Sequence, residues 1–384
     1  MAGTMIKRGK NKWRLMVSAG YDENGKRIRH TKTITAKNEQ EASKELARFV
    51  TEMEDNPVKS GKLKIAAFID LWLEYQKSAW TPKTHSVYSD YLKRYVTPTL
   101  GHKYLQDVKP THLLRLYSML QEEGISKRGN GKLSLKTIEF IHVMIYSMFK
   151  SAVQWQYIAA NPAGRVHPPK AKSKESKFYS TQDVQQLLSC LKKDNNLKYI
   201  FLVQLTLATG MRRGELVALE WDDFNMEEGI VDINKSTAAI SGVGNVTGKP
   251  KTKSSIRKVS VPETLIQLAK KYRASKLKDK LACGDKWLNS PCVFTNDFGG
   301  QMSANSISIW WINFIRRHNL PSMPFHGLRH TSASLLIAKG VHAKVISSRL
   351  GHSSISITMD TYGHMMEETD KDSAKCLNDI FTVV

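Results

Sequence analysis

Apolar and polar positions alternate at Trp13, Leu15 and Val17. A period of two places such residues on one face of a strand. Asn24-Gly25 then supplies a turn pair, and Ile28 to Ile34 returns as a second strand, so a hairpin is expected. Asn38 with Glu41 reads as a capping box. It opens a helix carrying Ala42, Leu46, Phe49, Val50 and Met53. A small sheet backed by one helix is the expected first unit, over 1–58.

Further on, the period lengthens. Ile65, Phe68, Ile69, Trp72 and Leu73 follow the i, i+3, i+4, i+7, i+8 spacing of a buried helical stripe. Thr81-Pro82 is an N-cap with proline in the first turn, ahead of Val87, Tyr88, Tyr91, Leu92 and Tyr95. Thr111 opens a short helix. Ser134 opens a long one with Ile138, Ile141, Ile145, Met148, Phe149 and Ala152, which stops near Asn161-Pro162. Four helices make an all-α domain over 62–165, its tyrosines read as core rather than as base-stacking groups. Pro168-Pro169 and four lysines between His167 and Lys177 mark a basic linker, 166–177. Ser180 with Asp183 forms a further capping box before Val184, Leu187, Leu188 and Leu191, so a third domain is expected over 178–384. Within it, Ile230–Ile233 and Ile256–Val261 read as strands.

Charge narrows the class of partner. The 384 residues hold 58 Lys plus Arg against 35 Asp plus Glu, a formal net charge of +23. That excess implies a polyanion, nucleic acid or an acidic membrane. No apolar run approaches about 18 residues, which weakens the membrane reading. No apolar signal segment follows the first charges, so a cytoplasmic location is expected. The four cysteines have no metal-like spacing and read as reduced thiols. Ten cations crowd the first 38 residues against only Asp22 and Glu23. Lys7, Arg8, Lys10, Lys12, Arg14, Lys26, Arg27 and Arg29 are the expected DNA contacts; a solvated basic hairpin is the alternative.

The chemistry lies in four stretches: TGMRRGE from Thr209, PKTKSSIRKVSVP from Pro250, HGLRH from His326, and LGH from Leu350 followed by Tyr362. Arginine offers planar bidentate donors to phosphoryl oxygens and stays charged at any working pH. Arg212 and Arg329 are therefore the expected charge clamp, able to stand in for metal ions. Glu215, three residues after Arg212, is expected to fix that side chain. His326 suits proton exchange or phosphate binding near neutrality. His326 and His330 also have the spacing of helical zinc ligands. No HExxH glutamate or nearby third ligand accompanies them, so no metal is expected. No Walker motif calls for ATP, and no cofactor is expected.

This order, Arg, Lys, His-x-x-Arg, His, Tyr, resembles the tyrosine recombinase (phage integrase) family, strongly in the C-terminal half and by layout elsewhere. The resemblance implies a multidomain fold: a small α+β arm-binding domain, an all-α core-binding domain, and a mainly α catalytic domain with a small antiparallel sheet. It implies Tyr362 as nucleophile and Lys253, on a β-hairpin, as proton donor to the leaving 5′ oxygen, with Lys251 as competitor. His352 would hydrogen-bond the phosphate. The implied activity is site-specific integration and excision of a mobile element through a 3′-phosphotyrosine and a Holliday junction. The implied partners are core and arm attachment sites on duplex DNA and a homotetramer, with room for an excisionase or other directionality factor. A type IB topoisomerase and a catalytically silent DNA-binding regulator are the alternatives.

Overall fold

The structure, a computed structural model, describes residues 3–21, 27–55, 63–122, 125, 131–171, 177–240, 242–250 and 252–360. The chain divides into two compact units, Met1–Ser173 and Lys174–Val384.

The first unit begins with an antiparallel sheet, β1 (Gly3–Lys7), β2 (Lys12–Tyr21) and β3 (Arg27–Thr35), with β2 central. The expected hairpin thus gains a strand at its front, with Met5 opposite Leu15 and Ile6 opposite Arg14. Trp13, Leu15 and Val17 are buried, and Ala42, Leu46, Phe49 and Val50 of α1 (Glu39–Asp55) pack on them. Alternation leaves Lys12, Arg14, Met16 and Ser18 on the other face. The helix cap is reciprocal but offset. Asn38 Oδ1 accepts from the Glu41 N–H, whereas the Glu41 carboxylate accepts from the Lys37 N–H.

The helical part of this unit comprises α2 (Ile65–Gln76), α3 (Pro82–Tyr91), α4 (Thr97–Leu100), α5 (Pro110–Met119) and α6 (Leu135–Gln154). The whole α2 stripe is buried. The Thr81 and Ser134 side chains cap α3 and α6 as expected. A π-helical turn, Leu92–Val96, follows α3. It buries Leu92, Tyr95 and Val96, while Val87, Tyr88 and Tyr91 pack at the margin of the core.

The second unit holds α7 (Thr181–Asp194), α8 (Leu197–Thr209) and α9 (Arg213–Ala218). Strands β4 (Phe224–Asn225), β5 (Ile230–Ile233) and β8 (Arg257–Ser260) form an antiparallel sheet, and β6 (Ser236–Ile240) pairs with β7 (Gly244–Gly248) as a separate hairpin. Then come α10 (Glu263–Cys283), α11 (Ala304–Arg317), α12 (Gly327–Ile337) and α13 (Ala343–Leu350). Phe201, Phe294, Trp311 and Phe314 centre its core. Trp311 Nε1 donates to the Met323 carbonyl at 2.7 Å, and the Tyr179 hydroxyl donates to the Pro321 carbonyl at 2.8 Å, so the large polar rings are satisfied where they are buried. Among the described residues, no helix is long and apolar enough to cross a membrane.

Candidate active site

Two left-handed glycines set the geometry. Gly210 ends α8 at φ +65° and Gly351 ends α13 at φ +69°, where a side chain is strained. A side chain would also crowd its neighbours. A Cβ on Gly210 would stand 2.3 Å from Leu350 Cδ2, and one on Gly351 3.0 Å from both Arg257 Nη1 and the Ser254 carbonyl. The Gly210 carbonyl accepts from Arg329 Nη1 at 2.7 Å. Arg329 lies in the first turn of α12 and is only 3 % exposed.

Arg212 precedes α9 with extended backbone and serves as its N-cap. Glu215 accepts from the Arg212 backbone N–H at 3.0 Å with one carboxylate oxygen and from Arg212 Nη1 at 2.8 Å with the other. Arg212 thus sits just outside the helix. The spacing of three works through the cap. Arg212 Nη2 also reaches the Gly351 carbonyl at 3.3 Å. Its neighbour Arg213 turns the other way, to Ser308 and the Ala304 carbonyl of α11. That points the two side chains apart.

One member of this cluster was not expected. Arg257 of β8 is buried, and its Nη2 meets Glu215 at 3.0 Å. Its Nε donates to the Arg349 carbonyl at 2.5 Å and its Nη1 to the Ser255 carbonyl at 3.0 Å. Burial alone would raise the Glu215 carboxyl. The adjoining Arg257 guanidinium, together with Arg212, outweighs it and holds that pKa below the usual value.

His326 caps the start of α12 on an open surface, its ring 5.3 Å from that of His330 and edge-on to it. Packing, then the neighbours His330, Arg329, Arg212 and Arg213, push its imidazole down to about 4. His352 is half-buried, and its Nδ1 shares a hydrogen bond of 2.8 Å with the fully buried Thr358 hydroxyl. Burial, then Arg329, Arg212, His330 and Arg257, bring it likewise to about 4. These shared influences place Arg212, Arg257, His326, Arg329 and His352 in one field. Among the described residues, no three His, Cys, Asp or Glu side chains gather as a metal site would.

The Lys253 backbone opens a 3-10 turn, Lys253–Ser255, between β7 and β8. It follows the β6–β7 hairpin instead of riding on it, and Thr252 Oγ1 pins the turn through the Ser254 and Ser255 hydroxyls. The Lys253 side chain, Lys251, and Tyr362 with the tail to Val384 lie outside the described residues. Residues 355–360 are helical.

The N-terminal cations belong to the other unit. Lys12 and Arg29 are exposed and Arg14 is half-buried, all on the sheet face away from α1. Arg8 and Lys10 are exposed in the β1–β2 turn. Lys7 differs in facing the helix side, with its Nζ 5.5 Å from the Trp13 ring. Lys26 and the Arg27 side chain are outside the described residues.

The description "Phage integrase family" matches residues 177–369, and "Phage integrase, N-terminal SAM-like domain" matches 64–121. The chain belongs to the phage integrase family. A relative described as "Tyrosine recombinase XerC-like", from Caldanaerobacter subterraneus subsp. tengcongensis, is 31% identical over 402 residues, covering 98% of this chain and 98% of its own. Among solved structures, the Tn1549 transposon integrase in complex with transposon right end DNA has a TM-score of 0.68 at 20% identity, over 82% of this chain and 100% of its own. A lambda integrase tetramer bound to a Holliday junction has a TM-score of 0.54 at 15% identity, over 91% of this chain and 95% of that one. The fold is that of these integrases: mostly helical, with small antiparallel sheets and an N-terminal domain.

Proposed function

We propose that this chain is the integrase of a mobile element, cutting and rejoining DNA at defined sites through a 3′-phosphotyrosine on Tyr362. The observation that carries this reading is the pair of preset guanidiniums. Arg329 is held by the Gly210 carbonyl and Arg212 by Glu215, so both donors are fixed before a phosphate arrives and need little reorganisation in the transition state. They take up the charge of the phosphorane-like transition state. His352, with Nδ1 engaged by Thr358, offers Nε2 to a phosphate oxygen. His326, pushed to about 4, is neutral near pH 7 and can exchange a proton with the Tyr362 phenol. Lys253, on a turn pinned at both ends, protonates the leaving 5′ oxygen. That hydroxyl from one duplex attacks the joint in the other, and two rounds pass through a Holliday junction.

The domain plan follows from charge and layout. The sheet over 1–58 reads arm sites, the helical domain over 62–165 grips the core site, 166–177 follows the backbone as a basic linker, and 178–384 carries the chemistry. Four protomers assemble on paired core sites inside a bacterial host, with an excisionase as the accessory partner that sets direction. The likeness to a transposon integrase bound to transposon end DNA and to a tetrameric integrase on a junction supports this assembly.

The test is a supercoiled plasmid carrying the DNA that flanks the gene, paired with a second site and incubated with protein in EDTA. Recombinant joints are expected. Relaxed circles without joints would assign topoisomerase chemistry, and binding without cleavage a regulator. Cleavage that strictly required a divalent metal would overturn the role of the arginines.

A further inference from the structure

Arg257 has no part in the steps above, yet it is buried and bonded on all sides of its guanidinium. It is 8 % exposed, and it satisfies three separate groups with one planar fork: the Glu215 carboxylate of α9, the Ser255 carbonyl and the Arg349 carbonyl. Those groups lie beside three parts of the site. Glu215 holds Arg212. Ser255 closes the 3-10 turn that starts at Lys253. Arg349 precedes Gly351, whose carbonyl takes Arg212 Nη2, and His352. A Cβ on Gly351 would stand 3.0 Å from Arg257 Nη1, so any side chain there would press on that guanidinium.

A buried guanidinium shielded by its own partners does not reach a phosphate. Its effect is to fix others. Were the charge lost, Glu215 would keep only Arg212 as its facing cation, and a carboxylate 3 % exposed with one partner draws that partner inward or takes a proton. Were the charge kept but the fork lost, Glu215 would stay ionised while both carbonyls lost a donor. Lysine cannot copy the planar fork.

We propose that Arg257 is a positioning residue for DNA cleavage, locking the Arg212–Glu215 pair, the lysine turn and the loop before His352 into one register. This rests on the recombinase reading above. The experiment measures covalent adduct formation and DNA affinity for the full chain, Arg257→Gln and Arg257→Lys on a nicked suicide core site between pH 5 and 8. Arg257→Gln should bind DNA within about twofold of the parent, because Arg257 is buried and engaged by protein groups, while cleaving about 10²-fold more slowly, a penalty that misplacement of a catalytic group can impose. Its rate should also fall further on the acid side than the parent's, since Glu215 protonates more readily once Arg257 is gone and only Arg212 faces it. Arg257→Lys should keep the parental acid limb and still cleave about tenfold slower, as loss of one supporting contact typically does. Should Arg257→Gln not fold, Arg257→Lys decides alone: cleavage at the parental rate overturns the proposal. Equal losses of binding and cleavage with an unchanged pH profile would reduce Arg257 to a structural ion pair, and also overturn it. A parent chain that forms no adduct overturns the recombinase reading itself, an outcome distinct from either.

Discussion

Arg329 donates to the Gly210 carbonyl from a site 3 % exposed, so its guanidinium is oriented by the fold and not by substrate. Arg329→Lys keeps the charge but loses the planar donor pair. Cleavage should fall about 10²-fold, the scale for loss of one preorganised donor, with DNA affinity nearly unchanged. Suicide-substrate kinetics beside a binding isotherm check this, and parallel losses would count against a transition-state role. His352 makes a second prediction. Its imidazole is held at about 4 by burial and by Arg329, Arg212, His330 and Arg257, against about 6.5 in an unfolded chain. As pH falls through that window the unfolded state takes the proton first. Its contribution to stability is therefore intact above about 6.5 and lost towards 4. His352→Asn should flatten the decline in melting temperature between pH 6.5 and 4.5; an identical slope in both proteins would refute the shift. At this scale spacing marked His326-x-x-Arg329 as a unit, and the structure seats both residues at the start of α12. Arg257 escaped notice because one cation in a strand of a chain with net charge +23 looks like surface until the strand's inward face is known.

Elements were legible where caps and stripes agree. Ser180 with Asp183, Thr81 and Ser134 cap as their residue types dictate. Ile230–Ile233 is a strand at the expected bounds. The partner strand shows where periodicity runs out. Ile256 is 47% exposed, while Arg257 and Val259 face inward. The expected strand Ile256–Val261 is observed as Arg257–Ser260, with a buried ion pair on its inward face. The β6–β7 hairpin was not legible either, since Thr237, Ala238 and Ala239 carry little apolar contrast. The π turn after α3 slips the core by one residue, which no fixed period anticipates. The Gly210 corner yields a test of how far one element controls the site. Gly210→Ala meets a left-handed backbone cost of about 1–2 kcal/mol and a clash with Leu350 Cδ2. A lower melting temperature is expected, together with slower cleavage, because the carbonyl that holds Arg329 moves. Wild-type melting and rate would show that the corner relaxes freely.

At the scale of the whole molecule, positive side chains gather on one face of the N-terminal sheet and, separately, around Glu215. Lys12, Arg14 and Arg29 stand on the outer sheet face, far along the chain from the cluster around Glu215. The sequence alone marked this sheet as basic, but only the register separates Lys7, on the Trp13 side, from the outward cations. Deleting residues 1–60 should lower the slope of log affinity against log salt by about 0.9 for each phosphate contact removed. It should also erase protection at distant repeats while core-site cleavage persists. A truncated chain that recombines full sites as well as the intact one would refute arm binding. If the +23 chain joins itself to DNA through Tyr362, mass spectrometry will find that join in the peptide trapped on a nicked core-site duplex, with Tyr362→Phe on the same substrate for comparison. A 3′-phosphotyrosyl adduct at Tyr362 is expected, formed in EDTA and absent from Tyr362→Phe although that variant still binds DNA. An adduct that persists in Tyr362→Phe, or maps to another residue, would contradict it.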